Sequence, residues 1–126
     1  MTKKALVVDN DFFFVEFLTE LLENRGYEVI KAYDGKDGIL ELHRGTVDLL
    51  FVDLIMPKID GNKLIKFARW KFPDAPFPII AVSGVIVEQL DEIDKIGADY
   101  YIAKGPIEKM ADHVNKLMDG IENPLR

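Results

Sequence analysis

Short apolar-rich runs alternate along the chain with longer stretches in which apolar residues recur every three or four positions. The runs are Ala5–Val8, Tyr27–Lys31, Leu49–Val52, Pro78–Val82 and Asp99–Ala103, each with the length and character of a buried β-strand. Between them, Val15, Leu18, Leu21 and Leu22 predict a helix from Asp11 to Arg25, with Asp11 as its N-cap and Gly26 as its stop. A short helix follows Asp34-Gly35 and ends at His43-Arg44-Gly45, and Asp60-Gly61 opens a third carrying Leu64, Ile65 and Ala68. Pro73, Pro76 and Pro78 mark a loop. Ile86, Leu90 and Ile93 predict a fourth helix closed by Gly97. Ile107, Met110, Ala111, Val114, Leu117 and Met118 predict a final helix, with Pro106 suited to its first turn.

Five strand–helix units in this order predict a parallel sheet covered on both faces, and right-handed crossovers make it a doubly wound α/β sandwich. The 126 residues suffice for one such domain and its core. It is expected over residues 1–121, with 122–126 a polar tail, prone to fraying from Gly120, or the start of a linker.

Composition narrows the function more than the fold. Sixteen basic against 22 acidic residues give a net charge of −6, which argues against a nucleic-acid or anionic-membrane surface. No apolar run reaches the ~18 residues of a membrane span, and the N-terminus lacks a signal peptide's apolar stretch. The absence of cysteine excludes disulfides, thiolate catalysis and cysteine-ligated metal, and suits a reducing cytoplasm. Two histidines alone cannot build a three-ligand zinc site.

In a sheet of this class, ligands bind beyond the carboxyl ends of the strands. Four of the five predicted strands end there in reactive polar residues: Asp9-Asn10-Asp11, Asp53, Ser83 and Lys104. Each alone is more often a cap or loop residue. Two acids, a hydroxyl and a lysine converging on one edge are more specific, and they suit phosphoryl chemistry. A carboxylate attacking phosphorus meets an anion, so that repulsion has to be cancelled by a divalent cation and positive side chains.

The segments Leu6-Val7-Val8-Asp9-Asn10-Asp11, Asp53-Leu54-Ile55-Met56-Pro57 with Asp60-Gly61, Ile80-Ala81-Val82-Ser83-Gly84 and Gly97-Ala98-Asp99-Tyr100-Tyr101-Ile102-Ala103-Lys104 resemble, in order and spacing, the response-regulator receiver family of two-component signalling. The resemblance covers essentially the whole chain. It implies a flavodoxin-like (βα)5 fold with strand order 2-1-3-4-5. It implies that Asp53 accepts a phosphoryl group from a sensor histidine kinase or phosphotransfer protein, or from a small phosphodonor. Mg2+ would be held by Asp9, Asn10, Asp53 and the backbone carbonyl of Ile55. Ser83 and Lys104 would bind the phosphoryl group, helped by the Leu54 amide, and Tyr101 would change rotamer with Ser83. The face made by the fourth helix, fifth strand and final helix would then meet a second copy or an output protein. Such a domain is cytoplasmic and is no enzyme beyond its own phosphorylation and dephosphorylation.

This chain departs from the family pattern at several points. Asn10 stands where a second aspartate is usual, which predicts weaker Mg2+ binding. Gly105 separates Lys104 from Pro106, so either Gly105–Pro106 is cis or the loop is rebuilt. Gly84 replaces a common alanine and loosens its loop. Ile55 and Val85, two positions after Asp53 and Ser83, cannot orient a hydrolytic water and predict a long-lived phosphoryl state. Of Phe12-Phe13-Phe14, at least one ring should enter the core, and the others form an exposed patch or partner surface. Trp70, His43, His113 and the acidic run Glu88–Asp94 read as helix-surface residues.

Two other functions compete with the receiver. One is a phosphorylation-independent pseudo-receiver that acts as a protein-binding module. The other is an enzyme of haloacid-dehalogenase type using Asp9-Asn10-Asp11, a reading opposed by the short chain and by the unexplained Asp53 motif.

Overall fold

The computed structural model describes residues 2–124 apart from 46, 57–59, 75–76 and 85–96. The predicted fourth helix, the run Glu88–Asp94 and Val85 lie outside the described residues. Five strands, β1 (Lys4–Val8), β2 (Glu28–Ala32), β3 (Leu49–Asp53), β4 (Ile79–Ser83) and β5 (Tyr100–Ala103), form one sheet. All pairings are parallel, in the order β2-β1-β3-β4-β5. The helices described are α1 (Phe12–Glu23), α2 (Gly35–Arg44), α3 (Gly61–Lys71) and a C-terminal helix (Ile107–Glu122). This is the flavodoxin-like doubly wound sandwich expected.

Alternation along the strands divides the core into two layers. Ala5, Val7, Leu49, Phe51, Ile80 and Val82 face α1 and the C-terminal helix, where Val15, Leu18, Leu22, Met110, Val114 and Met118 cover them. Leu6, Val8, Leu50, Val52, Ile79 and Ala81 face the other way, onto Leu42 of α2 and Leu64, Ile65 and Ala68 of α3. Both faces of the central strands are therefore dry, which is why they read as continuous apolar runs.

Helix ends follow the sequence signals, with some shifts. Asp11, Asp34 and Asp60 each accept a hydrogen bond from the amide three residues on, capping α1, α2 and α3. Beyond α1, Gly26 takes a left-handed φ of 94°. Strand β5 begins one residue later than predicted, at Tyr100; just before it the Asp99 amide donates to the Ile79 carbonyl (2.9 Å) and the Asp99 carboxylate accepts from the Ile79 amide (2.9 Å) and Arg69 (2.7 Å). Pro106 precedes the C-terminal helix as its N-cap instead of occupying its first turn, and its carbonyl accepts from the Lys109 and Met110 amides. That helix continues to Glu122, so Gly120–Glu122 are helical where fraying was expected. Arg25, beyond α1, holds it through Asn115, Asp119 and Glu122.

Candidate functional site

The ends of β1 and β3 are neighbours, with Val8 opposite Val52, so Asp9 and Asp53 emerge side by side. Lys104, just after β5, reaches both from across the sheet edge. Its Nζ lies 2.8 Å from Asp9 Oδ2 and 3.3 Å from Asp53 Oδ2. Asp9 is 2% and Asp53 6% exposed. The Lys104 amide donates to the Ser83 carbonyl at 2.9 Å, which anchors the base of the side chain to β4. There is no cis peptide bond among the described residues, so the inserted Gly105 is accommodated by a rebuilt loop, and Lys104 still reaches the acids.

Local geometry sets each carboxylate. Asp9 Oδ1 accepts from the Asp11 amide (2.8 Å), and Asp53 Oδ1 from the Ile55 amide (3.1 Å). The Leu54 amide, expected to serve the phosphoryl oxygens, instead donates to the Val82 carbonyl at 3.0 Å. The backbone donor at Asp53 is thus the amide of Ile55, a role the sequence reading missed. Gly61 explains the Asp60-Gly61 pair. A Cβ there would stand 2.7 Å from Leu54 Cα and closer still to the Asp53 carbonyl oxygen, so only glycine lets α3 start against the end of β3.

The site is electrostatically unbalanced, with two buried carboxylates and one ammonium. Asp9 Oδ2 is buried and faces the Lys104 ammonium at 2.8 Å. Burial pushes the Asp9 carboxyl above its ordinary value; Lys104 and the Asp11 amide oppose this, and the Asp53 charge adds to it. For Lys104, burial acts downward, but Asp9 and Asp53 outweigh it and the ammonium is held more firmly than usual. The Phe14 ring lies beneath this ammonium, its centroid 4.7 Å from Nζ.

Of the remaining predicted residues, Ser83 is fully buried at the end of β4. Tyr101 is half-buried and donates from its hydroxyl to the Ser83 carbonyl at 3.4 Å. Burial raises its phenol, so it stays a neutral donor. Asn10 is exposed at the rim, and the Ile55 side chain is 64% exposed. Asp11 is committed to capping α1. Among the described residues, no group of three or more His, Cys, Asp or Glu gathers to hold a metal. Phe14 enters the core, while Phe12 and Phe13 are each 64% exposed, Phe12 stacking on Tyr33. His43 and Trp70 lie on the α2–α3 surface on either side of Phe67, and His113 is exposed.

Paired acids at the ends of two central strands, in a sheet of order 2-1-3-4-5, define a flavodoxin-like α/β domain with a charged site at its carboxyl edge. A family model for the response regulator receiver domain matches residues 5–115, and the chain belongs to that family. The regulatory protein VanRc of Enterococcus gallinarum is 33% identical over 115 residues, covering 88% of this chain and 48% of that protein. The alkaline phosphatase synthesis transcriptional regulatory protein PhoP of Bacillus subtilis is 35% identical over 109 residues, covering 82% of this chain and 43% of that protein. The chain thus spans less than half the length of these relatives. The response regulator TrrA of Thermotoga maritima, solved in complex with Mg(2+)-BeF, matches at a TM-score of 0.76 and 29% identity, covering 92% of this chain and 99% of that one. Family membership replaces the haloacid-dehalogenase reading. No helix among the described residues is long and apolar enough to cross a membrane.

Proposed function

We propose that this domain accepts a phosphoryl group on Asp53 from a phosphohistidine of a sensor kinase or phosphotransfer protein in the cytoplasm. The observation that carries this reading is the shared ammonium: Lys104 spans Asp9 and Asp53 at 2.8 and 3.3 Å in a largely buried site. A carboxylate oxygen of Asp53 attacks phosphorus. The bond from phosphorus to the donor's imidazole nitrogen breaks, and its electron pair stays on that nitrogen, which takes a proton from solvent.

Two buried carboxylates against one ammonium leave an excess of acid that suits a divalent cation. Asp9, Asp53, the Asn10 amide oxygen and the Ile55 carbonyl would hold Mg2+, which would supply charge neutralisation of the incoming phosphoryl oxygens. Lys104 moves from the carboxylates to the phosphoryl oxygens, and the Ile55 amide keeps the Asp53 carboxyl oriented. Ser83 follows the phosphoryl group, and Tyr101, hydrogen-bonded to the Ser83 carbonyl, responds to its displacement. The change reaches the face around β5 and the C-terminal helix, where a second copy or an output protein docks. The domain that carries this function extends past the expected boundary at 121 to Glu122, the last helical residue, which Arg25 anchors.

Intact mass spectrometry after acetyl phosphate and Mg2+ tests the reading. Wild type should gain one phosphoryl mass, and Asp53→Asn should not. No gain, together with no Mg2+-dependent spectral response to beryllofluoride, would instead leave the pseudo-receiver, a reading favoured by the exposed amide at Asn10.

A further inference from the structure

We infer that Phe14 is a positioning residue for Lys104, its ring face holding the ammonium over the acids while phosphoryl transfer changes every charged partner around it. This rests on the acceptor reading above and deepens it. The Lys104 backbone is tied to β4 by its amide on the Ser83 carbonyl. The next residue is Gly105, where an added Cβ would meet nothing within 4 Å. Its ammonium touches Asp9, Asp53 and the Phe14 ring, the last at 4.7 Å.

These contacts do not survive the reaction equally. Phosphorylation converts the Asp53 carboxylate into an acyl phosphate, whose carboxyl oxygens no longer carry the negative charge. Asp9 becomes shared with the divalent cation. The ring is unchanged by either event. Attraction between a cation and a ring face is also tolerant of lateral movement, unlike a directed hydrogen bond. Lys104 can slide from carboxylate to phosphoryl oxygen without leaving it.

The ring is itself held in place. The Asp11 amide donates to Asp9 Oδ1 (2.8 Å), and Asp11 Oδ1 accepts from the Phe14 amide (3.3 Å), so two hydrogen bonds couple the ring's backbone to the Asp9 carboxylate. Phe14 is 6% exposed and packs against Phe17, ring centroids 5.8 Å apart. This assigns a task to the one buried ring of the Phe12-Phe13-Phe14 run.

The test compares wild type with Phe14→Leu, which keeps apolar volume without a π-face, and Phe14→Tyr, which keeps the face. Phe14→Met serves as a second aliphatic variant should leucine fail to fold, as judged by circular dichroism. In the unphosphorylated protein, the ring current should shift the Lys104 Hε resonances in wild type and Phe14→Tyr. The shift should vanish in the aliphatic variant. With acetyl phosphate and Mg2+, the aliphatic variant should be phosphorylated about tenfold more slowly at saturating donor, with a smaller change in KM. Phe14→Tyr should restore the rate. Unchanged Lys104 resonances, or an aliphatic variant phosphorylated at the wild-type rate, would overturn the inference while leaving the acceptor reading intact. A wild type that takes up no phosphoryl group refutes the acceptor reading, and the positioning role falls with it.

Discussion

Replacing Lys104 with methionine removes the cation that bridges Asp9 and Asp53 while keeping most of the side chain's volume. At an effective dielectric of about 20, the 2.8 and 3.3 Å contacts correspond to gross attractions of about 6 and about 5 kcal/mol. Desolvating the ammonium offsets most of that, and breaking a buried pair by removing one partner typically costs about 3–5 kcal/mol. Because the lysine side chain is 24% exposed, the lower end applies, and Lys104→Met should lose about 3 kcal/mol at neutral pH. The deficit should shrink in acid. Asp9 already has a raised pKa when folded, and losing the ammonium raises it further. A group shifted upward contributes stability below its unfolded pKa and loses it as pH climbs through the folded one. Mg2+ supplies the second arm. A cation present at ten times its dissociation constant stabilises by about 1.4 kcal/mol, and without the competing ammonium a given Mg2+ concentration should stabilise the variant more than wild type. Urea unfolding should be followed by far-UV circular dichroism, since Trp70 is 73% exposed and its fluorescence reports poorly on the core. A deficit below about 1 kcal/mol would mean solvent already screens the cluster. Equal stabilisation of both proteins by Mg2+ would mean that the cation does not enter between these acids.

Further expectations follow from single positions. With the apolar Ile55 side chain beside Asp53, the phosphoryl group should persist, and Ile55→Asn should hasten its loss; phosphorus NMR showing a lifetime of seconds in wild type would contradict this. Gly61→Ala should destabilise by at least about 2 kcal/mol and slow phosphorylation, because the new Cβ meets backbone at Asp53 and Leu54 that cannot swing aside; an unchanged urea midpoint would refute it. Burial, reinforced by the Glu122 carboxylate, pushes the Tyr27 phenol up to about 12. The folded state thus holds that proton longer than the unfolded chain does, and stability should fall between about pH 10 and 12. Tyr27→Phe should reduce the fall, leaving the part that comes from the firmly held Lys104 ammonium, and a midpoint flat with pH in wild type would count against it.

The fold was legible because its strands are short and buried on both faces. Runs such as Leu49-Leu50-Phe51-Val52 have no solvated side to advertise, and that is the mark of a parallel sheet. The strand order came from the family resemblance, since periodicity does not say which strands adjoin. Asp9, Asp53 and Lys104 were legible as strand-end polar residues, but what holds them was not. Nothing in the spelling of Asp53-Leu54-Ile55 says that Val82 claims one amide and the carboxylate another. Asp99 read as part of a strand because its capture of the Ile79 amide is a tertiary contact. Phe14 was recoverable: it stands four residues before Leu18 and eight before Leu22, on the stripe that enters the core, whereas Phe12 and Phe13 fall off it.

Asn10 bears on how this site divides its affinity between its resting and phosphorylated states. At rest, Asp9 and Asp53 against Lys104 leave one net negative charge. A second aspartate at position 10 would double that attraction for a divalent cation. After phosphorylation, the Asp53 charge is replaced by a phosphoryl group of about −2, which Asp9, Lys104 and a divalent ion bring to about neutrality. With aspartate at position 10 the same state would keep about one negative charge in excess. Under the proposed function, the amide should therefore weaken Mg2+ binding at rest and favour the charged product, in the same direction as the apolar Ile55. Asn10→Asp should tighten Mg2+ binding to the unphosphorylated protein about tenfold, the exposed position and its screening limiting the gain. It should also shorten the phosphoryl lifetime. Isothermal titration reads the first effect and phosphorus NMR the second. An affinity for Mg2+ indifferent to this substitution would place residue 10 outside the cation's reach and remove the charge argument altogether.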